Sequence, residues 1–360
     1  MDAHDRDTLS FLNRLYAEEA RVFGFRGTSP ADFAFWSAAA RPALRELLGL
    51  NRICGELGDF EPSVALGEPE EFEEYSRQKG VLHAEPEFDV PFWYLKPTGD
   101  GPHPLALFPH GHYMDHGLDY AVGVAASDEM RRKIDKEDRD VAVQAVRRGF
   151  AAIAPATRGF LPACIPDITN RHDGRSCRSQ LLHSLLAGRT VVGERVWDLE
   201  RLIDWAVALP EIDASVVLMM GNSGGGMSTL YGAACDERVT IAVASCSFCT
   251  FVGVNGAIHH CDCNAVPGIL RFGEFYDVAG TIAPRHLLVV HGRNDPLFPL
   301  HEVERSVAGV RAIYDAAGSP RAFEHVYGPE GHRFYSNLMW PFVMDAMRSL
   351  RREELGGTLC

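Results

Sequence analysis

The chain has 360 residues, 46% of them hydrophobic, enough for one large α/β domain with additions or for two ordinary domains. Lys and Arg number 35 against 49 Asp and Glu, a formal charge of −14, which argues against nucleic acid or an acidic membrane surface as a partner. A small or neutral partner is expected.

The opening MDAHDRDTLSFLNRLYAEEARVF has neither the basic segment nor the apolar core of a secretion signal. Nowhere do about 18 apolar residues run uncharged, so no membrane contact is expected. Nine cysteines, an odd number, read as reduced thiols, and the expected location is the cytoplasm. Two helices are predicted, about Thr8 to Val22 and about Pro30 to Leu50, the second opened by Ser29-Pro30. With the loop-rich CGELGDFEPSVALGEPEE they make an N-terminal helical extension and linker over 1–80.

The stretch VLHAEPEFDVPFWYLKP alternates as edge strands do. Short apolar runs follow at Pro104–Pro109, Phe150–Pro155, Ser215–Met220, Ile241–Ser245, His286–Val290 and Ala322–Val326. Most are separated by amphipathic segments of helical length, such as ERVWDLERLIDWAVAL and LHEVERSVAGVRAIYDAAG. Runs of about five residues alternating with helices predict a mainly parallel sheet with helices on both faces. This α/β domain covers 81–350, carries a rim insertion at about 157–189, and leaves a tail at 351–360.

Such sheets bind ligands beyond the carboxyl ends of their strands. The loops there carry HGH (His110, Gly111, His112), GNSGG, HGRNDPLFP and YGPEGH, which bring Ser223, Asp295 and His332 to one rim. A strand turning sharply into a helix would hold Ser223 in strained backbone. Gly221 and Gly225 remove side chains that would collide with the neighbouring strand and helix.

Gly221-Asn222-Ser223-Gly224-Gly225 matches the G-x-S-x-G nucleophile elbow, and from about Val81 to Leu350 the chain resembles the α/β-hydrolase superfamily. APRHLLVVHGRNDPLFP, VYGPEGHRF and the helix before the elbow strand are similar to its dienelactone hydrolase and acetyl xylan esterase-like branch. The resemblance implies the α/β-hydrolase fold and a triad. A serine hydroxyl is a poor nucleophile at neutral pH, so Ser223 needs His332 as its base. Asp295 would orient the imidazole, with Asp277 or Glu274 as alternative acids. Oxyanion donors are expected from the Gly224 N–H and from Gly111 or His112.

His110 and Asn222 flank these residues as candidate substrate-binding positions, although His110 and His112 suit shaping the loop better than proton transfer. Arg171, Arg175 and Arg178, with His172, concentrate positive charge in the rim insertion. They either form a solvated surface or contact a polar or anionic part of the substrate. Cys246, Cys249, His259, His260, Cys261 and Cys263 include zinc-ligand residue types. The buried-strand position of Cys246 and the C-x-C spacing favour core thiols, so no metal and no cofactor are expected.

The expected activity is that of a serine hydrolase cleaving a carboxylic ester, most simply a small acyl ester, through an acyl-enzyme. A peptidase, lactonase, acyltransferase or carbon–carbon bond hydrolase would use the same triad. A catalytically inactive ligand-binding module is the reading from another class. The expected partner is a small-molecule ester, and a homo-oligomer is left open.

Overall fold

The computed structural model describes residues 8–17, 20–112, 117–253, 256–257 and 260–356. Its strands are β1 Ser63–Leu66, β2 Glu70–Glu71, β3 Tyr75–Glu85, β4 Phe88–Pro97, β5 His103–Leu107 and β6 Ala151–Pro155. They continue with β7 Ile212–Asn222, β8 Ile241–Ser245, β9 Val252–Gly253, β10 Gly256–Ala257, β11 His286–Gly292 and β12 Phe323–Gly328. The helices are α1 Thr8–Leu15, α2 Pro30–Leu48, α3 Leu50–Glu56, α4 Gly117–Ala121, α5 Asp128–Lys136, α6 Val141–Val146 and α7 Ser176–Leu186. After them come α8 Val191–Val207, α9 Gly224–Cys235, α10 Ile269–Phe272, α11 Phe275–Gly280, α12 Leu300–Ala316 and α13 Ser336–Gly356.

One sheet of 10 strands runs β1-β3-β4-β6-β5-β7-β8-β11-β12, with β2 beside β3. Neighbours from β6 to β12 are parallel, while β4 runs against β6 and β3 against β4. The apolar runs read from sequence are these parallel strands, to within a few residues. Strand β7 shows why both faces are covered. Val216, Leu218 and Met220 enter one core with Trp340 and Val343 of α13, while Val217 and Met219 enter the other with Leu202 and Leu230.

The N-terminal helices form a further layer on α8, α9 and α12. Leu44 and Leu48 join the core beneath them, and Arg41 donates to Ala234 O at 3.1 Å and Thr281 O at 2.8 Å. The first helix stops at Leu15, well short of the expected Val22, because tertiary bonds claim the chain that follows. Val22 and Phe23 donate to Arg271 O and Phe272 O at 2.9 and 2.7 Å. Strand β1 begins the sheet at Ser63 by pairing with β3. Among the described residues, no helix is long and apolar enough to cross a membrane.

The rim insertion is anchored at its start by a buried ion cluster. Arg158 Nε donates to Asp198 Oδ2 at 3.0 Å, its Nη1 donates to Glu85 Oε1 at 2.5 Å, and its guanidinium lies 4.0 Å from the Phe88 ring centre. This clamp joins the β3–β4 hairpin, the insertion and α8. Removing one partner of a buried pair strands the other charge, which costs far more than the pair itself is worth. Arg158→Met is expected to lose about 3–5 kcal/mol of stability, read by denaturant titration.

A second buried contact makes the fold acid-sensitive. His291 Nε2 donates to Phe248 O at 2.5 Å, and His325 Nε2 lies 3.2 Å from His291 Nδ1, so the pair is satisfied with both rings neutral. Burial first, then the neighbouring ring, lowers His291 to about 3. Burial and the nearby Arg311 and Arg293 lower His325 to about 4. The unfolded chain takes up these protons near 6.5, so it binds more protons than the native state below that pH. Stability is therefore full above about pH 6.5 and is lost as pH falls toward the folded-state values. His291→Gln and His325→Gln together should flatten melting temperature against pH across that window, where the parent's melting temperature falls with pH.

Candidate active site

The elbow is built from glycines because the chain has no room for anything else. A Cβ on Gly221 would lie 2.3 Å from Gly225 C, and one on Gly225 would lie 2.1 Å from Pro109 O. The first approach joins β7 to α9, and the second joins α9 to the loop after β5. Between them Ser223 takes φ 57° and ψ −124°, a conformation side chains rarely adopt. Its N–H is tied to Ser245 O at 2.8 Å and its carbonyl accepts from Met227 N at 3.0 Å. The hydroxyl is thereby held over the end of the sheet.

Acid and histidine reach the same rim on two loops that brace each other. Arg293 N donates to Gly328 O and Asn294 N to Glu330 O, both at 2.9 Å. A Cβ on Gly292 would meet Gly331 O at 2.1 Å, so the two loops touch backbone to backbone. Asp295 then accepts from His332 Nδ1 at 2.7 Å through Oδ2 and from Leu297 N at 3.0 Å through Oδ1. Burial works to raise the Asp295 carboxyl. The bond and charge of His332, the Leu297 N–H and the Cys246 thiol outweigh it, and Asp295 sits below the usual carboxylate value. It stays ionised and fixes the imidazole through Nδ1. Phe298 stacks on the His332 ring at 6.4 Å between centroids.

The alternative acids are occupied elsewhere. Asp277 accepts from Phe25 N at 2.9 Å and from Glu274 N at 2.7 Å, and Glu274 accepts from Phe251 and Phe275 N–H groups. Both carboxylates are buried beside the N-terminal segment as helix-capping groups.

Ser223, Gly224, His112 and His332 line one pocket of about 790 Å³. Gly224 opens α9, so its N–H belongs to the helix turn that has no internal acceptor. Gly111 lies against it, since a Cβ there would be 3.0 Å from Gly224 N. His110 faces inward instead of lining the pocket. Its Nδ1 donates to Gly111 O at 2.8 Å and its Nε2 accepts from Thr157 N at 3.0 Å. Burial lowers it to about 4, so it braces the loop as a neutral ring. Asn222 is buried at the end of β7 and is likewise absent from the lining.

The rim insertion supplies one wall through Phe160, Leu161, Pro166, Asp167, Arg175 and Cys177. Arg175 is exposed there, whereas Arg178 is paired with Asp262 at 2.6 Å and Asp173 at 2.9 Å. Arg171 is exposed and outside the lining.

The cysteines divide. Cys246 lies beside Asp295 and His332, with its thiol pushed up to about 12 by burial and then by the Asp295 charge. Cys249 packs with Phe298 and Val303, and His260 sits among Phe251, Phe275 and Phe298. Cys261 and Cys263 instead meet His112 and Cys177, with all four ligand atoms within 4.8 Å of one another. His259 lies outside the described residues. Cys177 was invisible as a partner because it comes from the rim insertion, 84 residues before Cys261.

No protein-family model matches the chain. The Bacillus subtilis (strain 168) protein named "Putative hydrolase YtaP" is 24% identical over 297 residues, 79% of this chain and 91% of its own. The solved "putative acetyl xylan esterase (BF1801)" from Bacteroides fragilis NCTC 9343 superposes with a TM-score of 0.75 at 18% identity, covering 96% of this chain and 97% of that one. Methylesterase BT1017 gives a TM-score of 0.64 at 20% identity, covering 98% of this chain and 68% of that one. A CE15 glucuronoyl esterase from Teredinibacter turnerae T7901 gives 0.63 at 16% identity, covering 92% and 88%. Sheet order, elbow and superposition over nearly the whole chain agree that this protein is an α/β-hydrolase by fold, in the form these solved proteins share.

Proposed function

We propose that the protein is a serine hydrolase that cleaves a carboxylic ester with Ser223, His332 and Asp295. The observation that carries this reading is the 2.7 Å bond from His332 Nδ1 to Asp295, on the same pocket as a serine held at φ 57°. His332 takes the Ser223 proton as Oγ attacks the ester carbonyl. The developing oxyanion meets the Gly224 N–H and the backbone beside Gly111. The imidazolium then protonates the leaving alcohol, and water repeats the sequence on the acyl-enzyme. Superposed solved proteins named as acetyl xylan, methyl and glucuronoyl esterases support ester cleavage as the chemistry.

Ser223→Ala is expected to lose roughly 10⁴-fold or more in kcat on any accepted ester while substrate binding is kept. Asp295→Asn should lose about 10³–10⁴-fold, because the imidazole loses its orienting acceptor but keeps its nitrogen base. A fluorophosphonate probe should label the parent at Ser223 and leave Ser223→Ala unlabelled. Equal labelling of both proteins would remove Ser223 from the mechanism.

The substrate is a small acyl or alkyl ester borne on a larger polar group. The reacting serine lies in a pocket far larger than an acetyl group, and Arg175 faces it with no ion pair among the described residues. Arg175→Ala should raise KM for an ester carried on an acidic sugar about tenfold while changing kcat little. Turnover of p-nitrophenyl acetate should stay within about threefold of the parent, since that ester is too short to reach Arg175. Arg171→Ala serves as control and should behave as the parent on both esters. An Arg175→Ala variant indistinguishable from that control would reduce the insertion to a solvated surface.

A further inference from the structure

The geometry points to a zinc site of three thiolates and one imidazole, formed by His112, Cys177, Cys261 and Cys263 at the wall of the substrate pocket. Ligand atoms about 2.0–2.3 Å from a shared tetrahedral centre stand roughly 3.5–3.8 Å apart. The sulfur of Cys261 is 3.8 Å from that of Cys177 and 3.6 Å from that of Cys263. His112 Nε2 lies 3.6 Å from Cys263 and 2.9 Å from Cys261. Four of the six ligand pairs are thus 2.9–3.8 Å apart, and all six lie within 4.8 Å. These sulfurs are not joined as a disulfide, whose S–S bond is about 2.05 Å.

Sequence spacing alone argued against a metal because C-x-C is not a zinc knuckle. The fold supplies what the spacing lacked. Only Cys261 and Cys263 are close in sequence; His112 comes from the loop after β5 and Cys177 from α7. Three thiolates and an imidazole suit zinc, and a full set of four protein ligands leaves no position for water, so the role is structural.

The surroundings fit the charge. Zinc with three thiolates carries one net negative charge. Arg195 Nη2 lies 3.2 Å from Cys263 Sγ, and the same guanidinium is fixed by Arg158 O at 2.8 Å and Asn264 Oδ1 at 3.0 Å. This is the outer hydrogen bonding that metal ligands require. Binding forms three zinc–sulfur bonds and one zinc–nitrogen bond and releases three protons to solvent; no atom changes oxidation state. Ligation through Nε2 also fixes the His112 tautomer, leaving the proton on Nδ1, the nitrogen nearest Gly224. The metal therefore ties the rim insertion and the 261–264 turn to the loop beside the oxyanion position.

The test uses the full chain without a histidine tag, purified under reducing conditions without chelator. Elemental analysis should find about one zinc per chain, and Cys177→Ser and Cys261→Ser should each fall below about a tenth of that. Cys54→Ser, at an exposed position away from the cluster, should keep the metal. Cobalt(II) chloride added to demetallated parent should give the intense visible bands of tetrahedral cobalt and a sulfur-to-cobalt charge-transfer band. The cobalt spectrum decides the matter even if a cysteine variant fails to fold. Parent protein with no zinc after incubation with zinc chloride, and with no cobalt–sulfur band, overturns the proposal. So does zinc retained in the Cys177→Ser and Cys261→Ser double variant, or a disulfide within the cluster found by mass spectrometry.

Discussion

The close approach of three backbone segments at the elbow constrains everything around it. A side chain on Gly225 would collide with Pro109 O, and one on Gly221 would collide with the first turn of α9. With both absent, β7 can turn into α9 within one residue, and Ser223 carries the strain at φ 57°. That compression brings the β5 loop against Gly224, so Ser223, the Gly224 N–H and Gly111 share one corner. The corner withstands the strain because the strands behind it are buried on both faces.

Asp295 and His332 are placed by a second device, two loops locked to each other. Hydrogen bonds between 293–294 and 328–330 fix the spacing, and the 2.7 Å bond between Asp295 and His332 follows from it. Cys246, at the end of β8, places a neutral thiol beside the same carboxylate. Asp295 therefore sits among donors while remaining largely out of water. Its charge is held where it orients His332 and is not free to pair elsewhere.

What could be read from sequence was what lies close along the chain. Each parallel strand was a run of apolar residues, and each functional loop followed its strand directly, so Ser223, Asp295 and His332 could be placed on one rim. The end of the first helix could not be read, because Val22 and Phe23 are held by α10, some 250 residues away in sequence. His110 looked like its neighbour His112 in the HGH motif. Only the fold separates them, one ring buried against Thr157 and the other facing Cys261 and the pocket. Arg175 and Arg178 differ for the same reason, since the partner of Arg178, Asp262, arrives from a distant turn.

The rim insertion shows how such distant contacts bear on the chemistry. It leaves the sheet at Arg158, buried against Glu85 and Asp198, and returns through α7, where Cys177 meets Cys261 and His112. Between these two points Phe160 packs against His112 and Cys177, and the exposed Leu161, Pro166 and Arg175 line the pocket. The exposed positions of the insertion can change sequence without disturbing Ser223. The wall can then vary while the elbow and the loop pair stay as they are, because the strain at Ser223 is supported by the sheet and not by the insertion.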